Sequence, residues 1–278
     1  MMLQRVELLG SMGAGKTTLF KNLLKLTRRR SVPFTLSSAK KEKEAVLLRE
    51  SRRRSVLHYL ALRTLFRVPS LRAALLREKI TASAWRALES RQHDLGPVIH
   101  HLFHERSERD GNPTHNLRRL DWFIRDLTDV VLLEAHGEPT VLLHDESLLQ
   151  RGLGFGFGTR NGYAEAERYF TVVPLPTAVI HLTGSPAVLA ERIRTRDGPK
   201  SRKLAHVDEV CQLSTAVCKI LRQRHLPVVQ IDALGDPLEN ARHALEELQK
   251  VLRREEGPIG PSRDQTSEAR EQSGRRVG

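Results

Sequence analysis

Apolar positions along this chain fall into two alternating spacings. Short, nearly continuous apolar runs occur around Val6, Leu8 and Leu9 and again in Val32–Leu36, Thr140–Ser147, Thr177–Pro186 and Pro227–Pro237. Such runs predict strands buried on both faces. Between them the period lengthens to three and four residues. Leu19, Leu23, Leu24 and Leu26 follow the first run. Val207, Val210, Cys211, Ser214, Cys218 and Leu221 precede the last, and Leu238, Ala241, Leu245, Leu248 and Leu252 follow it. These stripes predict helices that each lay one face on a sheet. Ser185 before Pro186 and Asp236 before Pro237 predict two helix starts, a capping oxygen followed by a residue whose missing N–H is harmless in a first turn.

A longer helical stretch, about 41–136, separates the second run from the third. Leu57, Leu60, Ala61, Thr64 and Leu65 keep helical spacing, and Pro69-Ser70 interrupts it. Leu76, Ile80, Ala84 and Ala87 resume the stripe until Gly96-Pro97. After Gly111-Asn112-Pro113 the cleanest stripe runs through Leu117, Leu120, Ile124, Leu127 and Val131. Strands alternating with helices predict the α/β class, with a mainly parallel five-stranded sheet and 41–136 as a large helical insertion. One domain spans 1–255 on this reading. From 256 to 278 the chain is rich in Gly, Pro, Ser and charge without periodicity, which predicts a disordered tail.

Composition alters this picture in three ways. The net charge of +13 is concentrated: residues 21–125 hold 24 Lys and Arg against 10 Asp and Glu, whereas 253–278 holds six arginines and five acids. A basic surface of this kind suits an anionic substrate or a polyanionic partner, and equally a set of solvated helix faces. The two cysteines, Cys211 and Cys218, sit on an apolar stripe and are expected to pack in the core of a cytoplasmic protein. No apolar run reaches membrane-spanning length, and the first strand starts at once, so neither a membrane segment nor a signal peptide is expected.

The chemistry is concentrated where the first strand ends. Gly10, Ser11, Met12, Gly13, Ala14, Gly15, Lys16 and Thr17, followed by Thr18, satisfy G-x-x-x-x-G-K-[ST] between a strand and a helix. The glycines let the backbone turn its N–H groups onto phosphate oxygens. Lys16 reaches the β- and γ-phosphates, Thr17 offers a hydroxyl to Mg²⁺, and the helix brings its positive end beneath them. The third strand then ends in Asp145 and Glu146. Mg²⁺ is usually held through one or two carboxylates, which assigns Thr17 and Asp145 as its ligands, and a carboxylate there can accept the proton of an attacking hydroxyl. Either Asp145 or Glu146 suits that role, with Glu146 the slight preference. Arg192, Arg194 and Arg196 run down a helix into a Gly-Pro loop with Arg202 and Lys203 beyond, an arginine-rich lid over about 194–204 that suits the spread charge of phosphoryl transfer. A basic helix end complementing its own dipole is the plainer alternative.

These landmarks, GSMGAGKTT, VLLHDES, TAVIHLTGSPAVLAERIRTR and VVQIDALGDPLEN in that order, resemble the small phosphate-loop kinases that include thymidylate, adenylate and deoxynucleoside kinases. The resemblance covers 3–36 and 139–252 and implies a three-layer P-loop NTPase fold binding ATP and Mg²⁺. It also implies that Arg192 packs on the adenine, that Arg196 contacts phosphate with Arg202 as a further lid residue, and that Ala233, Leu234 and Gly235 lie near the adenine. The departures are specific. The second strand ends in Ser37-Ser38 where deoxynucleoside kinases carry a glutamate, and the Asp-Arg pair of thymidylate kinases is missing after the third, with Arg151 the nearest arginine.

The expected function is ATP-dependent phosphoryl transfer to a small, anionic acceptor such as a nucleoside, nucleotide or phosphosugar, by a chain that can be a homodimer. The alternative is an ATP-gated binding protein whose basic insertion grips nucleic acid or another polyanion. A third reading keeps the fold and moves a sulfuryl group. Two lesser signals remain. Glycines alternate with Leu153, Phe155 and Phe157 between Arg151 and Tyr163, as in a lid over an acceptor or an ordinary connector. His100 and His104 stand four apart, a spacing compatible with a metal. Tyr169 and Phe170 read as strand or core residues.

Overall fold

The computed structural model describes residues 3–29, 34, 36–78, 89, 113–138, 140–157 and 162–255. The expected features at Val32, Ile80–Ala87, Gly96-Pro97, His100/His104, Gly111-Asn112 and 256–278 lie outside them.

Five strands form one all-parallel sheet in the order β2-β3-β1-β4-β5. They are β1 (Gln4–Gly10), β2 (Leu36–Ser38), β3 (Val141–His144), β4 (Ala178–Thr183) and β5 (Val228–Asp232). The period-two side-chain alternation of a strand divides the apolar residues between two cores. Val6, Leu8, Val141, Leu143, Ile180, Leu182, Val229 and Ile231 face α1 (Lys16–Arg29). Leu9 and Val179 face the other side. Of the expected second strand, Val32–Leu36, the residues 32, 33 and 35 lie outside the described set; β2 starts at Leu36 and runs on through the two serines, which pair with Leu142 and Leu143 of β3. Ser38 then caps α2 (Ala39–Arg54), accepting a hydrogen bond from the Lys41 N–H at 3.3 Å.

Between β2 and β3 the described helices are α2, α3 (Val56–Leu65), α4 (Pro69–Glu78) and α5 (Pro113–His136). Leu127 and Val131 of α5 are buried as the stripe requires. The α3 stripe differs. Leu57 is 79% exposed and Leu60 49%, and Leu62 alone on that helix is buried. Helical spacing marks a face; it does not say which face is covered.

Beyond β3 come α6 (Leu148–Gly156) and α7 (Gly162–Val172). The glycine-alternating segment is therefore helical as far as Gly156, with residues 158–161 outside the described set. Its glycines serve close packing: a Cβ on Gly152 would collide with the Phe170 ring. Tyr169 and Phe170 are core residues, on a helix and not a strand. The fold closes with α8 (Pro186–Asp197), a 3₁₀ turn (Arg202–His206), α9 (Val207–Gln223) and α10 (Pro237–Glu255). Ser185 accepts from the Val188 N–H at 3.4 Å, and Asp236 accepts from the Leu238 and Glu239 N–H groups at 2.8 and 2.9 Å, so both expected helix starts form. Cys218 is buried in the α9 stripe and Cys211 half-buried; both are free thiols. Among the described residues no helix is long and apolar enough to cross a membrane.

Candidate functional site

Parallel strands deliver their C-terminal ends to one edge, and β1 and β3 are neighbours in register from Gln4↔Val141 to Glu7↔His144. Whatever follows β1 therefore meets whatever follows β3. The segment after β1 is the glycine loop. Gly13 and Gly15 hold φ values of 79° and 87°, the left-handed region that disfavours a side chain. A Cβ on Gly10 would stand 2.6 Å from the Leu182 carbonyl oxygen. The loop enters α1, whose first turn contains no acidic residue, so the helix's positive end is left uncompensated.

Lys16 is the first residue of that helix and is buried. Its Nζ donates to the Gly10 carbonyl at 2.8 Å and the Ser11 carbonyl at 3.1 Å, folded back over the loop. Burial lowers its pKa, opposed by Glu146 and Asp145 nearby. Thr17 Oγ1 donates to Asp145 Oδ2 at 3.1 Å. The other oxygen, Asp145 Oδ1, is buried without a partner, and burial raises the pKa of this carboxyl despite the threonine hydrogen bond. A hydroxyl and a carboxylate side by side, with one buried oxygen unsatisfied, form an all-oxygen donor set that fits a small hard cation retaining several waters. Glu146, the next residue, is exposed.

One cavity adjoins the glycine loop and a second the β3 carboxylates. The first, about 280 Å³, is lined by Gly13, Gly15 and Thr18 on the loop side and by Arg192, Arg196, Ala233 and Gly235 opposite. Arg192 Nη1 donates to the Ala233 carbonyl at 2.9 Å, which lays its guanidinium flat against the β5 exit. Asn240 donates to the Asp232 carbonyl at 2.6 Å and closes that end. Arg196 reaches the cavity wall but is engaged elsewhere, its Nε and Nη2 donating to Asp197 at 2.8 and 2.9 Å. With Lys203 on the same carboxylate, Asp197 is held well below the usual range. Arg202 is exposed on the 3₁₀ turn and lines neither cavity, and Leu234 is largely exposed at the rim.

The second cavity, about 470 Å³, opens on the far side of Asp145 and Glu146. Its walls bring in residues the sequence reading did not single out: Lys40 and Lys43 of α2, Asp126 and Asp129 of α5, and His144 at the end of β3. Lys43 pairs with Asp129, and Arg151 Nε donates to Asp126 Oδ2 at 2.6 Å. Arg151 thus sits on α6, stacked 5.2 Å from the Trp122 ring, and orders an α5 carboxylate. A sequence signal for part of this set existed: Asp126 and Asp129 stand three apart, hence on one helical face. Desolvation pushes Asp126 up to about 6 and His144 down to about 3.

No protein-family model matches the chain, and no curated protein matches it. Among solved structures, TT1252 from Thermus thermophilus is similar over 89% of this chain and 97% of its own, at 15% identity and a TM-score of 0.37. A likeness that faint carries no argument about what either molecule does.

Proposed function

We propose that the chain is an ATP-dependent phosphotransferase with a P-loop NTPase fold, moving the γ-phosphate of ATP to a small acceptor in a cytoplasmic setting. The observation that carries the reading is the Thr17–Asp145 hydrogen bond, because it joins the glycine loop, which lines one cavity, to a β3 carboxylate, which lines the other. One cavity suits the nucleotide and the other the acceptor, with the Thr17–Asp145 contact where a phosphoryl group would pass.

On this reading the amides from Met12 to Thr18 and the positive end of α1 hold the phosphates. Lys16 leaves the Gly10 and Ser11 carbonyls for phosphate oxygens. Thr17 and Asp145 would hold Mg²⁺, which supplies charge neutralisation at the β- and γ-phosphates. With Asp145 committed there, Glu146, exposed on the acceptor side, orients the nucleophile and takes its proton. Arg192, Ala233, Leu234 and Gly235 frame the base. Arg196 exchanges Asp197 for phosphate when segment 194–204 closes, and Arg202 enters only by that closure. A sulfuryl transferase would leave Asp145 beside Thr17 without a task.

Lys16→Ala is expected to lower acceptor-dependent ADP formation by about 10²–10³-fold, the usual loss for one preorganised charge on the transferred group. Normal turnover in that variant ends the reading. The alternative, an ATP-gated polyanion binder, draws support from the exposed Arg52, Arg53 and Arg54 at the end of α2. Such a protein would bind duplex DNA or RNA with an affinity that falls steeply as salt rises.

A further inference from the structure

The acceptor-side cavity narrows the substrate class, an argument that rests on the phosphotransfer reading above. Four carboxylates line it, Asp126, Asp129, Asp145 and Glu146, against Lys40 and Lys43. Lys43 is already bound to Asp129, and Arg151 behind the wall is bound to Asp126. The two α5 carboxylates are thereby fixed and neutralised from one side. Their second oxygens, Asp126 Oδ1 and Asp129 Oδ2, make no hydrogen bond among the described residues. Fixed carboxylate oxygens of this kind accept hydrogen bonds from neutral donors.

An independent observation points the same way. His144 lines the cavity, is only 7% exposed, and its Nε2 is buried without a partner. An unpartnered imidazole nitrogen facing a cavity exchanges a hydrogen bond with a hydroxyl. The positive end of α2 is blunted here. Ser38 already caps it, and Glu42 stands in its first turn. Among the described residues of these walls a phosphorylated acceptor would find Lys40 as its one uncommitted cation, beside Asp145, Glu146 and the phosphates of ATP.

We infer that the acceptor is an uncharged, hydroxyl-rich molecule of nucleoside or glycoside size, held by Asp126, Asp129 and His144. The cavity volume falls within the range of small-molecule sites. Phe20 and Leu143 supply an apolar wall for a ring face. One hydroxyl oxygen attacks the γ-phosphorus, and the bond from that phosphorus to the β–γ bridging oxygen breaks with its electron pair staying on ADP. The hydroxyl proton passes to Glu146 and on to solvent, leaving a phosphomonoester and ADP. A neutral acceptor takes the place of the anionic one expected from the overall charge, because among the described residues the basic side chains on these walls are Lys40 and Lys43, and Lys43 is held by Asp129.

The test is transfer of labelled γ-phosphate from ATP by the full chain to matched acceptors: adenosine and AMP, thymidine and its monophosphate, glucose and glucose 6-phosphate, with glucosamine as a cationic arm. The expected result is transfer to at least one uncharged member, at least tenfold above its ester. Asp129→Asn and His144→Gln should each raise the acceptor KM about tenfold or more while leaving ATP affinity within twofold. Preference for an ester or for glucosamine overturns the acceptor class and leaves the kinase reading standing. Label released only to water, with none on any acceptor, overturns both. If His144→Gln fails to fold, Asp129→Asn decides alone.

Discussion

Gly13 shows how a single missing atom arranges the glycine-loop side of the site. Its φ of 79° disfavours any side chain, and a Cβ built there would stand 2.9 Å from the Leu189 carbonyl and 3.2 Å from Ile193 Cγ1. Both contacts belong to α8, the helix that carries Arg192 and Arg196. The glycine therefore permits a loop conformation and also lets the arginine helix lie directly on the loop. Gly15 has the same backbone strain at φ 87° with nothing within 4 Å. The two sites separate the effects. Gly15→Ala should cost roughly 1–2 kcal/mol from backbone strain alone. Gly13→Ala should cost more, on the order of 2–4 kcal/mol, because the collision adds to the strain. Urea denaturation of both variants checks this, and equal losses would remove α8 packing as the reason for Gly13.

At the scale of elements, the contact between α5 and α6 carries a titration. Asp126 on α5 accepts from Arg151 on α6, and desolvation still pushes its pKa from 3.8 up to about 6, with Asp129 and Glu7 adding to the rise. A raised carboxyl pKa means that the folded state binds more protons than the unfolded one between those values. The stability contributed by Asp126 is thus complete below pH 3.8 and lost as pH rises through about 6. The unfolding free energy of the wild type minus that of Asp126→Asn should fall by on the order of 2–3 kcal/mol between pH 4 and pH 7. A flat difference across that range would show that Asp126 titrates normally. Little of this contact was legible in the sequence, where Asp126 and Arg151 are separated by the whole of β3. The strands were more legible: runs such as Thr177–Pro186 are apolar throughout because both sheet faces are covered. Burial of helix faces was harder to read. The stripes of α3 and α9 look alike in spacing, yet one faces outward and the other fills the core, since a periodic face records only that apolar residues are grouped. The walls of the second cavity drew on α2, α5 and β3 at once, and only tertiary placement joins them.

For the molecule as a whole, the sheet order places β1 between β3 and β4, so the loop after β1 touches both the carboxylate edge and the arginine helix. ATP bound there would bridge elements from residue 10 to residue 240, nearly the full described chain. A ligand that binds only the folded state stabilises it by about 2.7 kcal/mol at a hundred times its Kd. For a domain of this size that corresponds to a rise in Tm of about 5–10 °C. The rise should appear with Mg²⁺ and ATP and shrink to less than half in Lys16→Ala at the same concentrations, because Lys16 is the cation already pointed along the loop. Its dependence on salt is equally informative. Phosphates seated among buried amides are weakly screened, so the shift should persist from about 50 to 200 mM salt, whereas a polyanion gripping the exposed arginines of α2 would lose its effect by orders of magnitude in affinity over the same interval. A duplex oligonucleotide that outstabilises ATP at low salt and fails at 200 mM would move the balance to the binding-protein reading. An ATP shift that survives salt and vanishes with Lys16 would place the working chemistry at the glycine loop, where the Thr17–Asp145 contact already joins the two sides of the site.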